Sequence, residues 1–362
     1  MTFRILDARV PAERAEWTAL HEAWPAREVY AHPAYVERFA GPADQPLAAV
    51  WQDAGGRVLY PFLSRAITAP HLAGAAAGAR DLTSPYGYGG AFVTGAPDAE
   101  AFWAAHAAWA REHGAICEFV RFALFPDELL AYPGEKHEKL TNVVCDLRRD
   151  EATIWSDFDH KVRKNVNRAR REGVTIEIDP SGAHLDDFLR IYTATMDRRD
   201  ARRGFYFPHE FFAAIARDLP GQYVFVHARH AGAIISTELA LVSAHNVYSF
   251  LGGTDAAAFD LRPNDLLKLE LIHWAKRAGR TRFVLGGGYT PDDGIFKYKR
   301  AFAPDGLVPY FVGTRVLDQA RYAALVAAHE AHARTIDPAW TRDAGFFPAY
   351  RAELPTSAAP AP

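Results

Sequence analysis

The sequence predicts an α/β protein built from two domains of related topology, each with mixed strands flanked by helices. Three observations predict this. The chain has 362 residues, more than one hydrophobic core usually organises. Hydrophobic residues make up 49% and charged residues 23%, the proportions of ordinary globular domains. The same order of elements also recurs in the two halves.

The repeat begins with a hairpin. Leu47 to Leu63 reads as strand, Asp-Ala-Gly-Gly turn and strand, and Tyr223 to Leu241 as strand, His-Ala-Gly turn and strand. A helix follows in each half. One carries Trp109-Ala110-Arg111 and then Gly114; the other carries Trp274-Ala275-Lys276 and then Gly279. Both are amphipathic, both close on a glycine, and each runs into a short apolar strand. The charged stretch Asp146 to Glu151 marks the boundary. The expected division is residues 1–148, residues 149–315, a helical extension over 316–353 and a Pro/Ala-rich flexible tail over 354–362. After the boundary, Ile154, Phe158, Val162, Val166 and Ala169 recur at helical spacing, which predicts one helix over 153–172 ended by Gly173.

Composition narrows the function. A net charge of −3 gives no global positive field for nucleic acid or an anionic membrane, so any polyanion site must be local, and no DNA partner is expected. Cys117 and Cys145 form no CxxC and read as buried thiols in a reducing compartment. The first residues hold no apolar leader-like run, and no stretch approaches the roughly 20 apolar residues of a membrane span, so a cytoplasmic location is expected. His329 and His332 stand in HExH, not HExxH spacing, and no GxSxG occurs, so neither a metal site nor a serine hydrolase is expected.

Four segments could carry chemistry. His160 to Glu172 concentrates Lys161, Arg163, Lys164, Arg168, Arg170 and Arg171, which suits phosphate contacts, the alternative being a solvated helix face. Asp81 to Val93 places Tyr86 and Tyr88 among three glycines, either as rings presented to a ligand or as rings packed on the core. Arg198 to Phe212 interleaves basic and aromatic residues, and Gly204 and Pro208 argue for a loop. Val284 to Phe302 runs from a strand into three glycines, Tyr289, an acidic turn and a short helix, without the ending of a phosphate-binding loop. On that helix Ile295, Tyr298 and Phe302 read as the apolar stripe. Lys297 then points away from it, placed to donate to a developing oxyanion, with Asp292 or Asp293 as proton acceptor; a plain surface lysine is the alternative.

Taken together, these segments resemble the FemAB/FemX-like transferases, duplicated members of the GNAT acyltransferase superfold. The family's basic-helix pattern K-x-R-x-N-x-x-x-A-x-x-x-G-V matches Lys161, Arg163, Asn165, Ala169, Gly173 and Val174. Its later signature, a Gly pair and then D-G-aliphatic-F-K-x-x-F, resembles the run through Gly287, Gly288, Asp293, Gly294, Ile295, Phe296 and Lys297. Tyr248 to Gly253, Pro263 and the Trp274 helix fit the same order, and the PYGYGG stretch resembles the BioF2-like acetyltransferase branch. The resemblance spans about residues 25 to 312. It implies two tandem GNAT-like domains. It also implies amide-forming transfer of an aminoacyl or acyl group to an amine of a cell-envelope precursor or small metabolite. By the same resemblance, Lys297 and Phe296 act at the reacting ends, Arg202 and Tyr206 contact the acceptor, and Tyr248 and Arg38 assist. No tightly bound cofactor is implied, and the donor is either aminoacyl-tRNA or acyl-CoA. The acetyl-CoA loop Q/R-x-x-G-x-G/A of single-domain relatives is not evident. An acetyl-CoA-dependent N-acetyltransferase of an amino sugar or small amine is the second expectation. A non-catalytic binder of a phosphorylated ligand through the basic helix is the third.

Overall fold

The computed structural model describes residues 1–355. The chain forms β1 (Thr2–Asp7), α1 (Pro11–Glu22), α2 (Pro33–Glu37), β2 (Gln45–Gln52), β3 (Gly56–Ala66), β4 (Arg80–Thr83), β5 (Phe92–Gly95), α3 (Ala99–Glu112) and β6 (Ala115–Arg121). There follow β7 (Glu135–Asp146), α4 (Glu151–Asp157), α5 (His160–Arg171), β8 (Thr175–Asp179), α6 (Leu185–Arg198), α7 (His209–Asp218), β9 (Tyr223–His230), β10 (Ala233–Val242) and β11 (Asn246–Thr254). The last elements are α8 (Pro263–Arg277), β12 (Arg282–Gly286), α9 (Gly294–Arg300), β13 (Leu307–Val316) and α10 (Gln319–Ile336).

Two compact units result. The first comprises residues 1–22, 30–139 and 311–362, and the second residues 23–29 and 140–310. The expected boundary at 148/149 thus moves into β7. The C-terminal helix α10 is part of the first unit, where Leu325 and Val326 pack with Ile116, Cys117 and Tyr350, so it is not a separate extension. Residues 23–29 join the second unit through a buried carboxylate: Glu28 accepts from Ser243 Oγ (2.6 Å), Asn246 Nδ2 (2.5 Å) and Tyr248 OH (2.9 Å). Of the expected tail, residues 356–362 lie outside the described residues.

Within each unit most strand pairs are antiparallel. In the first, β1, β2, β3 and β4 pair antiparallel in that order, β5 pairs β3, and β6 pairs β13 antiparallel. The parallel pair is β4 with β6, bridged by α3. In the second, β12 pairs β7 antiparallel, and β11, β10, β9 and β8 pair antiparallel in succession. Here the parallel pair is β11 with β12, bridged by α8. Both predicted hairpins form, as β2–β3 and β9–β10. Both bridging helices close on a left-handed glycine, Gly114 and Gly279, each at φ 75°. A hairpin, a helix and a parallel strand therefore recur in the same order in both units.

The single helix expected over 153–172 is two. The chain turns at Phe158, whose ψ of 139° is extended, and Asp159 N–H donates to Ala301 O instead of continuing the helix. Phe158 packs on Phe302 at 5.1 Å between ring centroids, so core packing drives the break. The apolar face read from the sequence survives on both pieces, with Ile154 on α4 and Val162, Val166 and Ala169 on α5 buried. Among the described residues, no helix is long and apolar enough to cross a membrane.

Candidate active site

The second unit holds an opening in its sheet. The parallel register of β11 and β12 ends at Tyr248↔Val284, although β11 continues to Thr254. Beyond that point every β11 residue from Ser249 on is half-buried, whereas Asn246 to Tyr248 are buried. Backbone donors and acceptors at such a split are free of the strand ladder on one side and can serve a ligand.

Charged side chains line the split. Glu238 of β10 and Lys268 of α8 form a buried ion pair, Nζ to Oε1 at 2.6 Å, and the same ammonium donates to Ser249 Oγ at 2.9 Å. Lys299 of α9 donates from Nζ to Gly287 O at 2.7 Å, so its amine lies at the Gly-rich end of β12. Burial, and then the charge of Lys268, pull the Lys299 ammonium down to about 8, against the opposing pull of Glu238 and Asp293. A lysine at that value is still mainly charged at neutral pH but loses its proton far more readily than an ordinary lysine, which marks it as a candidate functional group. Asp265, in the first turn of α8, is pushed up to about 6 by burial, opposed by Asn165, Arg262 and Lys161. Asn165 Nδ2 reaches Asp265 Oδ1 at 3.4 Å, which joins α5 to the start of α8.

This geometry reassigns the short helix. Of the expected stripe, Tyr298 packs against the core, 5.2 Å from Phe302 between ring centroids, and accepts from Asn264 Nδ2 at 2.7 Å, while Phe296 and Lys299, three residues apart, also turn inward. Lys297 is exposed, and the place beside the Gly-rich strand end expected for it is taken by Lys299. The signal was present in the motif: K-x-x-F spacing fits Lys299 with Phe302, whereas three residues past Lys297 stands Arg300. Phe296 is core, 7% exposed among Phe302, Leu285 and Phe283, so it has no free face for a substrate. Asp293 is the N-cap of α9. Its carboxylate accepts from the N–H groups of Phe296 (2.7 Å), Tyr289 (2.6 Å) and Thr290 (3.2 Å), which hold its carboxyl below the usual range. It shapes the loop and is poorly suited to take a proton. Asp292 is exposed in the left-handed region at φ 56°.

The other expected residues divide by burial. Tyr248 is 1% exposed and hydrogen-bonded to Glu28, so it is a core tyrosine and not a substrate contact. Arg202 is exposed, and Tyr206 OH donates to Asp197 Oδ1 at 3.0 Å. Tyr289 is exposed and meets Phe205 edge-on at 6.1 Å, so the Gly-rich loop lies near the Arg202–Tyr206 segment. On the basic helix, Arg163 is committed to the carbonyls of Ser156 and Phe158, closing the end of α4. Arg168 stands 3.9 Å from Glu172 and Arg170 pairs with Glu270, while Lys161 and Lys164 are exposed. In the first unit, Tyr86 and Tyr88 join an aromatic cluster with Tyr30, Tyr35 and Phe39, and Tyr35 OH donates to Tyr86 O at 2.7 Å. Arg38, in the same unit, bonds Glu37 at 3.0 Å.

Comparison with known proteins bears on the family and the fold. Residues 156–300 match the acetyltransferase (GNAT) domain family, a span from α4 to α9 that contains the split and Lys299. A curated relative, a UDP-N-acetylmuramoylpentapeptide-lysine N(6)-alanyltransferase of Weissella viridescens, is 29% identical over 194 residues, 51% of this chain. The match spans 56% of that protein. Among solved structures, FemX aligns over 89% of this chain and 99% of its own with a TM-score of 0.64 at 13% identity. The C-terminal domain of a putative lysylphosphatidylglycerol synthetase from Agrobacterium fabrum aligns over 89% and 97% with a TM-score of 0.53 at 15% identity. At these identities the two structures establish a shared fold.

Proposed function

We propose that the chain is a FemAB-like member of the GNAT acyltransferase superfamily and that it forms an amide bond by transferring an aminoacyl or acyl group to an amine at the split between β11 and β12. The observation that carries this reading is Lys299, a desolvated lysine tethered to the Gly287 carbonyl at the open strand end. In the reaction the acceptor amine attacks the donor carbonyl, whose oxygen gains charge as the tetrahedral intermediate forms. The Lys299 ammonium donates to that oxygen, and the buried Glu238–Lys268 pair keeps the surroundings polar but dry. When the intermediate collapses, the carbon–donor bond breaks and the amine proton leaves with the departing group or to water. Positioning supplies most of the remaining acceleration, because an amine arriving neutral needs no strong base.

The acceptor favoured here is an amine of a UDP-N-acetylmuramoylpentapeptide-type precursor, because the curated relative carries that substrate in its name. Arg202, Tyr206 and Tyr289 are the second unit's exposed candidates for holding it. Lys161 and Lys164 are candidates for the phosphates of the donor, whether tRNA or CoA. Purified protein should be incubated with UDP-N-acetylmuramoylpentapeptide and either alanyl-tRNA or acetyl-CoA, with products read by mass spectrometry. A product gaining one alanyl group supports the reading. An acetylated product identifies the CoA-dependent branch, and no amide with either donor contradicts the proposal.

A further inference from the structure

The first unit contains a cleft of about 1040 Å³ with no part in the chemistry above. Its floor is the face of β4, β6 and β13 that presents Thr83, Phe119, Arg121 and Thr314. Its wall is the segment 342–351 that follows α10. Such a volume is at the upper end of what small-molecule sites enclose, roughly 300–1,000 Å³, and well above the need of a lone inorganic ion.

The charge is one-sided. Arg65, Arg121, Lys139, Arg342 and Arg351 line the cleft against Glu135 and Glu138. Arg65 and Arg351 share one carboxylate, the fully buried Asp81: Arg65 Nε bonds Oδ1 at 2.7 Å, Arg351 Nε bonds Oδ2 at 2.5 Å and Tyr350 OH bonds Oδ2 at 3.1 Å. Two fixed guanidiniums on one acid leave a net positive centre. Arg121 sits two residues along the same face, held by the neutral oxygens of Thr83 and Ser84 and stacked over Phe119 at 4.8 Å. Three guanidiniums are thus oriented in advance, the fork geometry that matches phosphate oxygens. An aromatic wall adjoins them: Phe347 stacks on Tyr322 at 5.6 Å and lies 6.4 Å from Phe119.

We propose that this cleft is a binding site for an organic phosphate, with the phosphate on Arg65, Arg121 and Arg351 and a flat group against Phe347 and Phe119. Every residue named here belongs to the first unit, whereas Lys299 belongs to the second.

Calorimetry with ADP, pyrophosphate and adenosine on the full chain tests it. ADP should bind in the micromolar range, weaken as salt rises and bind at least tenfold tighter than pyrophosphate; adenosine alone should give no measurable heat. Arg121→Gln should weaken ADP at least tenfold. Arg342→Gln, at a more exposed rim position, should weaken it severalfold with folding checked by circular dichroism. Lys299→Ala should bind ADP as the wild type does. The assignment is overturned if ADP gives no heat, if pyrophosphate binds as tightly as ADP, if both arginine variants bind like the wild type, or if Lys299→Ala abolishes binding.

Discussion

The two units carry the same strand–helix–strand module and treat its parallel seam differently. In the first, the seam is closed. Beyond Thr83↔Phe119, Ser84 N–H donates to Phe119 O at 3.0 Å, and Gly89 bridges to Phe122. The titratable group on its helix-facing side, Glu118, is fully buried among Tyr60 (2.8 Å), Tyr132 (3.0 Å) and His106, and burial pushes its carboxyl up. In the second, the seam stops at Tyr248↔Val284, and the charged groups there are a Lys–Glu pair and a lysine with lowered proton affinity. A duplicated fold thus keeps an open split in one copy and a sewn one in the other. The open copy is where ionised groups remain beside unpaired backbone.

The contrast can be tested first at the lysines. Lys299→Ala should lower kcat about 10²–10³-fold, the usual cost of removing a preorganised oxyanion donor. Lys297→Ala, exposed on the same helix, should change it less than about threefold in the same steady-state assay. Equal losses would remove the distinction between the two faces of α9.

Stability separates the buried carboxylates next. Glu238→Gln leaves Lys268 buried without its counter-ion and should cost about 3–5 kcal/mol in denaturant unfolding. Glu118→Gln replaces a carboxyl already biased toward its neutral form among neutral donors and should cost about 1 kcal/mol. Similar losses would mean that the two environments are not electrically different.

The smallest effect lies at the helix ends. Gly114→Ala and Gly279→Ala both place a Cβ at φ 75°, which costs about 1 kcal/mol. At Gly114 the new Cβ would also lie 2.4 Å from Gly78 O, whereas nothing stands within 4 Å at Gly279. Gly114→Ala should therefore lower Tm further, and the reverse order would contradict the packing described at the first seam.

The repeat, both hairpins and both glycine-capped helices were legible in the sequence because their signals are local. What escaped it depends on distant partners. Residues 23–29 belong to the second unit through Glu28, whose acceptors serve groups more than 200 residues away. The break at Phe158 follows from packing on Phe302 and leaves the helical periodicity uninterrupted. Phe296 and Tyr248 looked available as motif residues, yet burial claims both. At α9, apolar spacing picked out Tyr298 and Phe302, which do pack inward, but not Lys299, because a lysine carries no apolar signal.

That lysine gives the most direct test. The ammonium form of Lys299 is the donor, and it is lost as pH rises through about 8. Nitrogen-detected magnetic resonance of the lysine side chains across pH 6 to 11 should show one amine titrating near 8. That signal should vanish in Lys299→Arg, and wild-type kcat should fall with the same midpoint. A spectrum in which every lysine titrates near the ordinary value of about 10.4, with kcat indifferent to pH around 8, would contradict the account.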